Sequence, residues 1–443
     1  MMKTDPNQSR PNILLITCHD LGRQLGCYGR RAVRSPALDR LAAEGVLFAN
    51  AFSVAPQCSP SRSALHTGKY PHANGMMGLA HCGFDWRLNQ EEKHMAKLMR
   101  DHGYASVLVG VQHMTDNPLE LGYEQATIGG DAVVTAEIAA AELSRLTADS
   151  RPFYLEVGFF EPHRPFHFGG AEPDDEQGIG VPGYLPDDGP VREDFAALQG
   201  AIRALDAGVG VIMDALRVLE LEHNTWVIFT TDHGIAMPWA KCTLYDPGIE
   251  VALLMRWPAQ GIEGGWCYDG LFSQVDVLPT LVEALGIPDC PKLQGSSHWP
   301  QLTHSQDSNE VRECLAVRAA IFAEKTFHTH YEPMRSIRTA TQKLIVNLES
   351  GSAIDVPLDI QRSQSYTTVL PGTLIQRPML ELYVLAEDPM ERNNVADLPI
   401  YTSVRKSLLR ELRHWMEETG DPLLSGPIAS PFAKVVLSIL NEQ

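Results

Sequence analysis

Short, unbroken apolar runs punctuate this chain. Asn12-Ile13-Leu14-Leu15-Ile16-Thr17, Ala105-Ser106-Val107-Leu108-Val109-Gly110, Phe153-Tyr154-Leu155-Glu156-Val157-Gly158-Phe159-Phe160 and Trp226-Val227-Ile228-Phe229-Thr230-Thr231 are rich in branched and aromatic residues. Runs without polar alternation suit parallel strands covered on both faces. Between the last two, Phe195, Leu198, Ile202, Leu205, Val209, Ile212, Leu216 and Leu219 recur at intervals of three and four. That spacing lays one apolar stripe along a long helix, a packing face and not a cofactor box. Strands alternating with helices predict an α/β fold: a large doubly wound mixed sheet flanked by helices. After about Lys325 the pattern changes. Residues 334–348 read as a hairpin, 380–385 as a strand and 403–420 as a terminal helix. The chain therefore divides into a main α/β domain over 1–325 and a smaller C-terminal α+β domain, an antiparallel sheet plus helix, over 326–443. Residues 171–190, rich in Pro, Gly and acid, read as a solvated surface loop or as the rim of a site.

Composition narrows the classes. Apolar residues make up 44% and charged residues 21% of 443, an ordinary globular balance. None of the apolar runs approaches the roughly 20 residues of a membrane span, so no membrane partner is expected. The 36 basic against 55 acidic residues give a net charge of −19. Such a body is a poor nucleic-acid binder, and an anionic substrate must be drawn in by a local pocket. The polar start, Met1 to Arg10, has no apolar stretch, which predicts a cytoplasmic protein. The eight cysteines, among them Cys314, form no C-x-x-C pair, which argues against a zinc knuckle or a disulfide framework. No oligomeric state is written in the pattern.

Candidate chemistry gathers at strand ends, where open α/β sheets bind ligands. The four runs are followed by Cys18-His19-Asp20, Gln112-His113, Pro162-His163-Arg164 and Asp232-His233-Gly234. Four histidines just past four strands suggest one pocket. The segment Cys58-Ser59-Pro60-Ser61-Arg62 puts Pro60 in the first turn of a helix with Ser59 as its cap, and so Cys58 at the positive end of the helix dipole. Arg62 adds a cation, and anions bind well in such a place. Local physics alone leaves this open between an anion site and a buried cysteine beside a capped helix. His72, His81 and His94 read as surface or turn residues.

C-x-P-S-R is similar to the signature of the sulfatase family. Further segments resemble the family in order along nearly the whole chain: Cys18-His19-Asp20-Leu21-Gly22, Thr67-Gly68-Lys69-Tyr70-Pro71, Thr230-Thr231-Asp232-His233-Gly234, Val275-Asp276-Val277-Leu278-Pro279-Thr280 and Glu381-Leu382-Tyr383. Asn74-Gly75-Met76-Met77-Gly78-Leu79, Glu161-Pro162-His163-Arg164, Leu244-Tyr245-Asp246-Pro247-Gly248 and Pro333-Met334-Arg335-Ser336 resemble the heparan N-sulfatase branch. The resemblance implies that Cys58 is converted to formylglycine by a formylglycine-generating enzyme, and that a hydroxyl of its hydrate attacks the sulfur of a small anionic substrate. It implies one divalent metal held by His19, Asp20, residue 58, Asp232 and His233. Calcium is the family's ion, but imidazoles at 19 and 233 suit manganese or zinc better than calcium. By position Arg62 belongs to the catalytic motif, His113 assists turnover of the formylglycine, His163 stands near the leaving group, and Lys241 binds sulfate. Asn74, His328, His330 and Arg335 are candidates for the pocket rim. One departure is Val111, where the family carries a lysine.

The implied activity is hydrolysis of a sulfate ester or sulfamate, with a small sulfated sugar as substrate. Two other readings stay open. A phosphonate monoester or phosphodiester hydrolase of the same superfamily also has an Asp-His metal pair. A non-catalytic binding protein on this scaffold would explain Val111 but not the intact Cys58 motif.

Overall fold

A computed structural model describes residues 10–303, 318–349, 356–373 and 376–441. Cys314 and the N-terminal nine residues lie outside the described residues. The main sheet comprises β1 (Asn12–Cys18), β2 (Val46–Phe52), β3 (Ala105–Gly110), β4 (Gln125–Thr127), β5 (Phe153–Gly158), β6 (Thr225–Thr231), β7 (Leu253–Arg256) and β8 (Trp266–Ser273). Their order is β4-β3-β5-β1-β6-β7-β2-β8. β1 lies parallel between β5 and β6, while β7 runs antiparallel to both β6 and β2, which makes the sheet mixed.

Both faces are covered, and this is why the apolar runs are unbroken. On β1, Leu14 and Ile16 enter one core and Ile13 and Leu15 the other. The first core is closed by the helices Pro36–Glu44, Ala132–Leu146 and Gly189–Val218. The second is closed by Met95–Asp101 and Val277–Leu285. The long helix starts at Gly189, earlier than its apolar stripe, because Asp188 caps it by accepting from the Val191 N–H (3.1 Å) and Pro190 fits the first turn. Seven stripe residues, Phe195 to Leu216, are buried, each contributing about 1.5–3 kcal/mol. This helix is long and apolar enough to cross a membrane, but its stripe faces the sheet. Of the 171–190 segment, residues 171–188 form a loop pinned to that helix: Asp174 is buried, accepts from Arg34 (2.6 Å), and its carbonyl accepts from Gln199 (2.7 Å).

The small antiparallel sheet, in the order β12-β11-β10-β9, contains β9 (Ala320–Phe327), β10 (Tyr331–Thr339), β11 (Gln342–Asn347) and β12 (Leu380–Val384). β9 crosses position 325 and carries the sheet back to Ala320. The helix Thr402–Thr419 packs on this sheet through Leu408, Leu412, Trp415 and Met416.

Candidate active site

The carboxyl ends of β1 and β6 lie side by side, with Cys18 paired to Thr231. The residues that follow, His19-Asp20 and Asp232-His233, therefore meet. The chain turns sharply there: Asp20 has a left-handed φ of 52°, and a Cβ on Gly234 would stand 1.8 Å from the Pro247 carbonyl oxygen, so the Asp-His-Gly turn needs a glycine. Asp232 Oδ1 accepts the backbone N–H groups of Asp20 and His233, both at 2.9 Å. The helix Cys58–Thr67 points its first residue at this junction. Ligand atoms of His19, Asp20, Cys58 and Asp232 all lie within 4.8 Å of one another, and Cys58 Sγ is 3.5 Å from His233 Nε2. His113, at the end of β3, joins from another side: its ring, His19 and Cys58 also form a group within 4.8 Å. His163, after β5, lies edge-on to His19 with ring centroids 5.6 Å apart.

Charge at this junction is finely divided. Burial would raise the pKa values of both carboxyls, but Lys241 lowers Asp20, and His233, His19 and Arg62 lower Asp232, so both are held as carboxylates. Burial and the Arg62 cation push His19 down to about 3, so its ring is neutral. His233 Nδ1 donates to the Gly234 carbonyl (3.0 Å), which turns Nε2 toward the acids. Burial lifts the Cys58 thiol well above its ordinary value, with Asp232 adding to the shift. An unmodified thiol there is a poor nucleophile.

These groups fit a divalent cation. His19 Nδ1 is 2.9 Å from Asp232 Oδ2, and His233 Nε2 is 3.1 Å from Asp20 Oδ1. Yet neither nitrogen of His19, nor Asp20 Oδ1, has a hydrogen bond, although all three are buried. Buried ligand atoms left without hydrogen-bond partners beside two carboxylates are what a metal satisfies.

The sulfatase family profile matches residues 11–287 of the chain. The protein belongs to the sulfatase family. It is 29% identical to human N-sulphoglucosamine sulphohydrolase, over 95% of this chain and 93% of the relative. A structure solved with D-glucosamine-2-N,6-O-disulfate as substrate shares the fold at a TM-score of 0.71 and 18% identity, covering 93% of this sulfatase and 99% of that chain. The phosphonate monoester hydrolase of Agrobacterium radiobacter matches at a TM-score of 0.71 and 20% identity, covering 94% and 97%. The sulfatase is thus a sulfuric ester hydrolase by family, with a fold shared more widely.

Some expected residues take other places in this sulfatase. Ser59 is not the helix cap, since Gln57 holds that position. The Ser59 hydroxyl instead donates to the His113 carbonyl (2.6 Å) and accepts from the Ala80 N–H (3.1 Å), tying two loops to the helix. Arg62 is 1% exposed and binds the acid cluster from within the protein: it donates to Asp232 Oδ2 (3.3 Å), Thr17 Oγ1 (3.2 Å) and the Cys18 carbonyl (2.9 Å). Lys241 donates to Asp20 Oδ2 (2.8 Å) and reaches His163 Nε2 (3.3 Å). Burial would depress it, but Asp20 and Asp359 hold its pKa well above the ordinary value.

The rim candidates fare differently. Asn74 is fully buried, with its amide bonded to Ser63, Thr67 and the Lys69 carbonyl, so it builds a turn. Arg335 is buried in the small sheet, where it binds Asp421 (2.6 Å) and Glu324 (3.2 Å). His328 and His330 lie in the β9–β10 turn, outside the converging set, joined by the His328 N–H and the His330 carbonyl (3.2 Å). His72 and His94 are not surface residues: one pairs with Glu324 (2.8 Å), the other stacks on His66 (4.4 Å). His81 reaches the site itself, its ring 4.7 Å from that of His113, because Ser59 draws the 77–86 turn inward. Asp359 was not foreseen. It comes from the short helix Leu358–Gln361 and meets Lys241 at 3.1 Å.

Proposed function

We propose that this sulfatase hydrolyses a sulfamate or sulfate ester on a small sugar, using formylglycine made from Cys58 by a formylglycine-generating enzyme and one divalent metal. The convergence of Cys58 with His19, Asp20 and Asp232 within 4.8 Å carries this reading. His19, Asp20, Asp232 and His233 would hold the ion, and their two imidazoles favour manganese or zinc over calcium. A metal held there would supply positive charge that favours an ionised hydroxyl at residue 58 and offsets the charge of the sulfate.

The chain's own residues do the rest. Arg62 holds Asp232 as a carboxylate from behind. His113, with Nδ1 buried and unpartnered, stands ready to take a proton from the residue-58 side. His163 Nδ1 donates to the Arg164 carbonyl, so Nε2 carries the lone pair and accepts from the Lys241 ammonium. That Lys241–His163 pair is placed to neutralise a sulfate oxygen and to pass a proton to the leaving nitrogen or oxygen. His81 stands beside His113, with ring centroids 4.7 Å apart. Substrate class follows the human relative, which matches along almost the full length of both chains.

The test uses protein co-expressed with a formylglycine-generating enzyme and supplied with divalent metal. Glucosamine N-sulfate, O-sulfated glucosamine, an aryl phosphonate and a phosphodiester are compared by kcat/KM. The sugar sulfates should dominate, and Cys58→Ala should abolish turnover while leaving unfolding unchanged. Dominant phosphorus chemistry, or full activity in Cys58→Ala, would overturn the reading.

A further inference from the structure

Asp359 is an anion in a site built to receive anions. Its Oδ2 lies 3.1 Å from Lys241 Nζ and 4.0 Å from His163 Nε2, and ligand atoms of Asp20, His163 and Asp359 fall within 4.8 Å of one another. Its side chain is 22% exposed, whereas those of Asp20 and Asp232 are fully buried. So it stands on the solvent side of Lys241, where the substrate's sugar must lie if sulfate enters toward residue 58. Oδ1 makes no hydrogen bond among the described residues.

This placement is fixed. Val356 and Ile360 flank Asp359 and pack against Trp239 and Tyr366. Ser365, a few residues on, donates to Asp194 Oδ2 (2.5 Å), and Asp194 is clamped by both terminal nitrogens of Arg164 (2.7 and 2.5 Å). Arg164 adjoins His163, so the C-terminal segment is registered to the leaving-group histidine.

A fixed carboxylate beside the sulfate pocket weakens binding of any anion unless it gains a donor in return. With the sulfate held between residue 58 and Lys241, the sugar atoms next to the scissile group would lie nearest Asp359. Building on the function proposed above, we infer that Asp359 is a specificity-determining residue. It accepts a hydrogen bond from a hydroxyl or ammonium beside the scissile sulfate, and it rejects sugars that carry a second anion there.

The test compares wild type, Asp359→Asn and Asp359→Ala as metal-loaded, matured enzyme. Three substrates are used: a monosulfated glucosamine, the same sugar with a second sulfate on the adjacent carbon, and an aryl sulfate with no neighbouring donor. Losing a charged hydrogen bond should cut kcat/KM on the monosulfated sugar roughly 10- to 100-fold, mainly through KM. The disulfated sugar should gain relative to it, and the aryl sulfate should lose clearly less than the monosulfated sugar. An equal loss on all three substrates would overturn the inference and make Asp359 a positioning residue for Lys241. No change on any would overturn it as well. If wild type turned over the aryl sulfate but neither sugar, the sugar-sulfatase reading itself would fall, whatever the variants did.

Discussion

Arg62 is the buried guanidinium that helps hold Asp232 as a carboxylate, and replacing it by leucine should be severe. The guanidinium is 1% exposed and serves one carboxylate, one hydroxyl and one carbonyl. Removing one partner of a buried ion pair costs about 3–5 kcal/mol, because the remaining charge is stranded. The Cys18 carbonyl loses its shortest donor but keeps the Asp232 N–H (3.3 Å) and the Thr231 hydroxyl (3.4 Å), so it adds at most about 1 kcal/mol. Relaxation will absorb part of this, so the loss should be on the order of 5 kcal/mol. Arg62→Lys keeps the charge but cannot reach three acceptors at once, so it should recover only part. Because a bound metal also neutralises Asp232, the deficit of Arg62→Leu should be largest in chelator and shrink when divalent ion is restored. Urea unfolding of wild type and both variants, with and without chelator, reads these differences. An Arg62→Leu protein within about 1 kcal/mol of wild type in chelator would refute the reasoning. So would a deficit indifferent to metal.

Other outcomes follow from the same geometry. Glu156, buried on β5, accepts from His66 (2.9 Å), Tyr123 (2.5 Å) and Tyr154 (2.9 Å). Burial alone would raise its pKa, but the His66 charge and these bonds lower it from 4.5 to about 2. A depressed carboxyl stabilises the fold above its unfolded pKa, and that stability, about 3 kcal/mol, is lost as pH falls from about 4.5 toward 2. Glu156→Gln should therefore be less stable than wild type at pH 7, with a gap that narrows in acid; a gap constant with pH would count against it. His19→Asp should shift metal preference from zinc or manganese toward calcium, measured by reconstitution and metal analysis, since it trades an imidazole for a hard oxygen. An unchanged preference would remove His19 from the ligand set. Arg335→Leu should strand Glu324 and Asp421 and cost about 3–5 kcal/mol, seen as early unfolding of the small sheet, with the metal content of the remaining folded protein unaltered.

Much of this was legible in the chain, for identifiable reasons. Unbroken apolar runs announced strands buried on both faces, and histidines just past them announced the pocket, because parallel strands end on one edge. The small sheet was partly visible in its hairpin. Spacing could not say where a polar side chain turns. Asn74 and Arg335 sit in segments that resemble the family but spend their donors on their own surroundings. His72 and His94 look like turn residues until their burial is seen. Ser59 has the residue type of a cap, yet its hydroxyl oxygen accepts from the Ala80 N–H of a neighbouring loop and not from the helix's free N–H groups. Asp359 was invisible because a four-residue helix has no periodicity and its partner Lys241 lies far away in sequence.

The central claim is that residue 58 is the activated group at the metal junction. The mass of the peptide that carries residue 58, taken from a preparation hydrolysing a sugar sulfate, tests it most directly. The account predicts that the sulfur is gone and an aldehyde stands in its place; an intact thiol in fully active enzyme would contradict it.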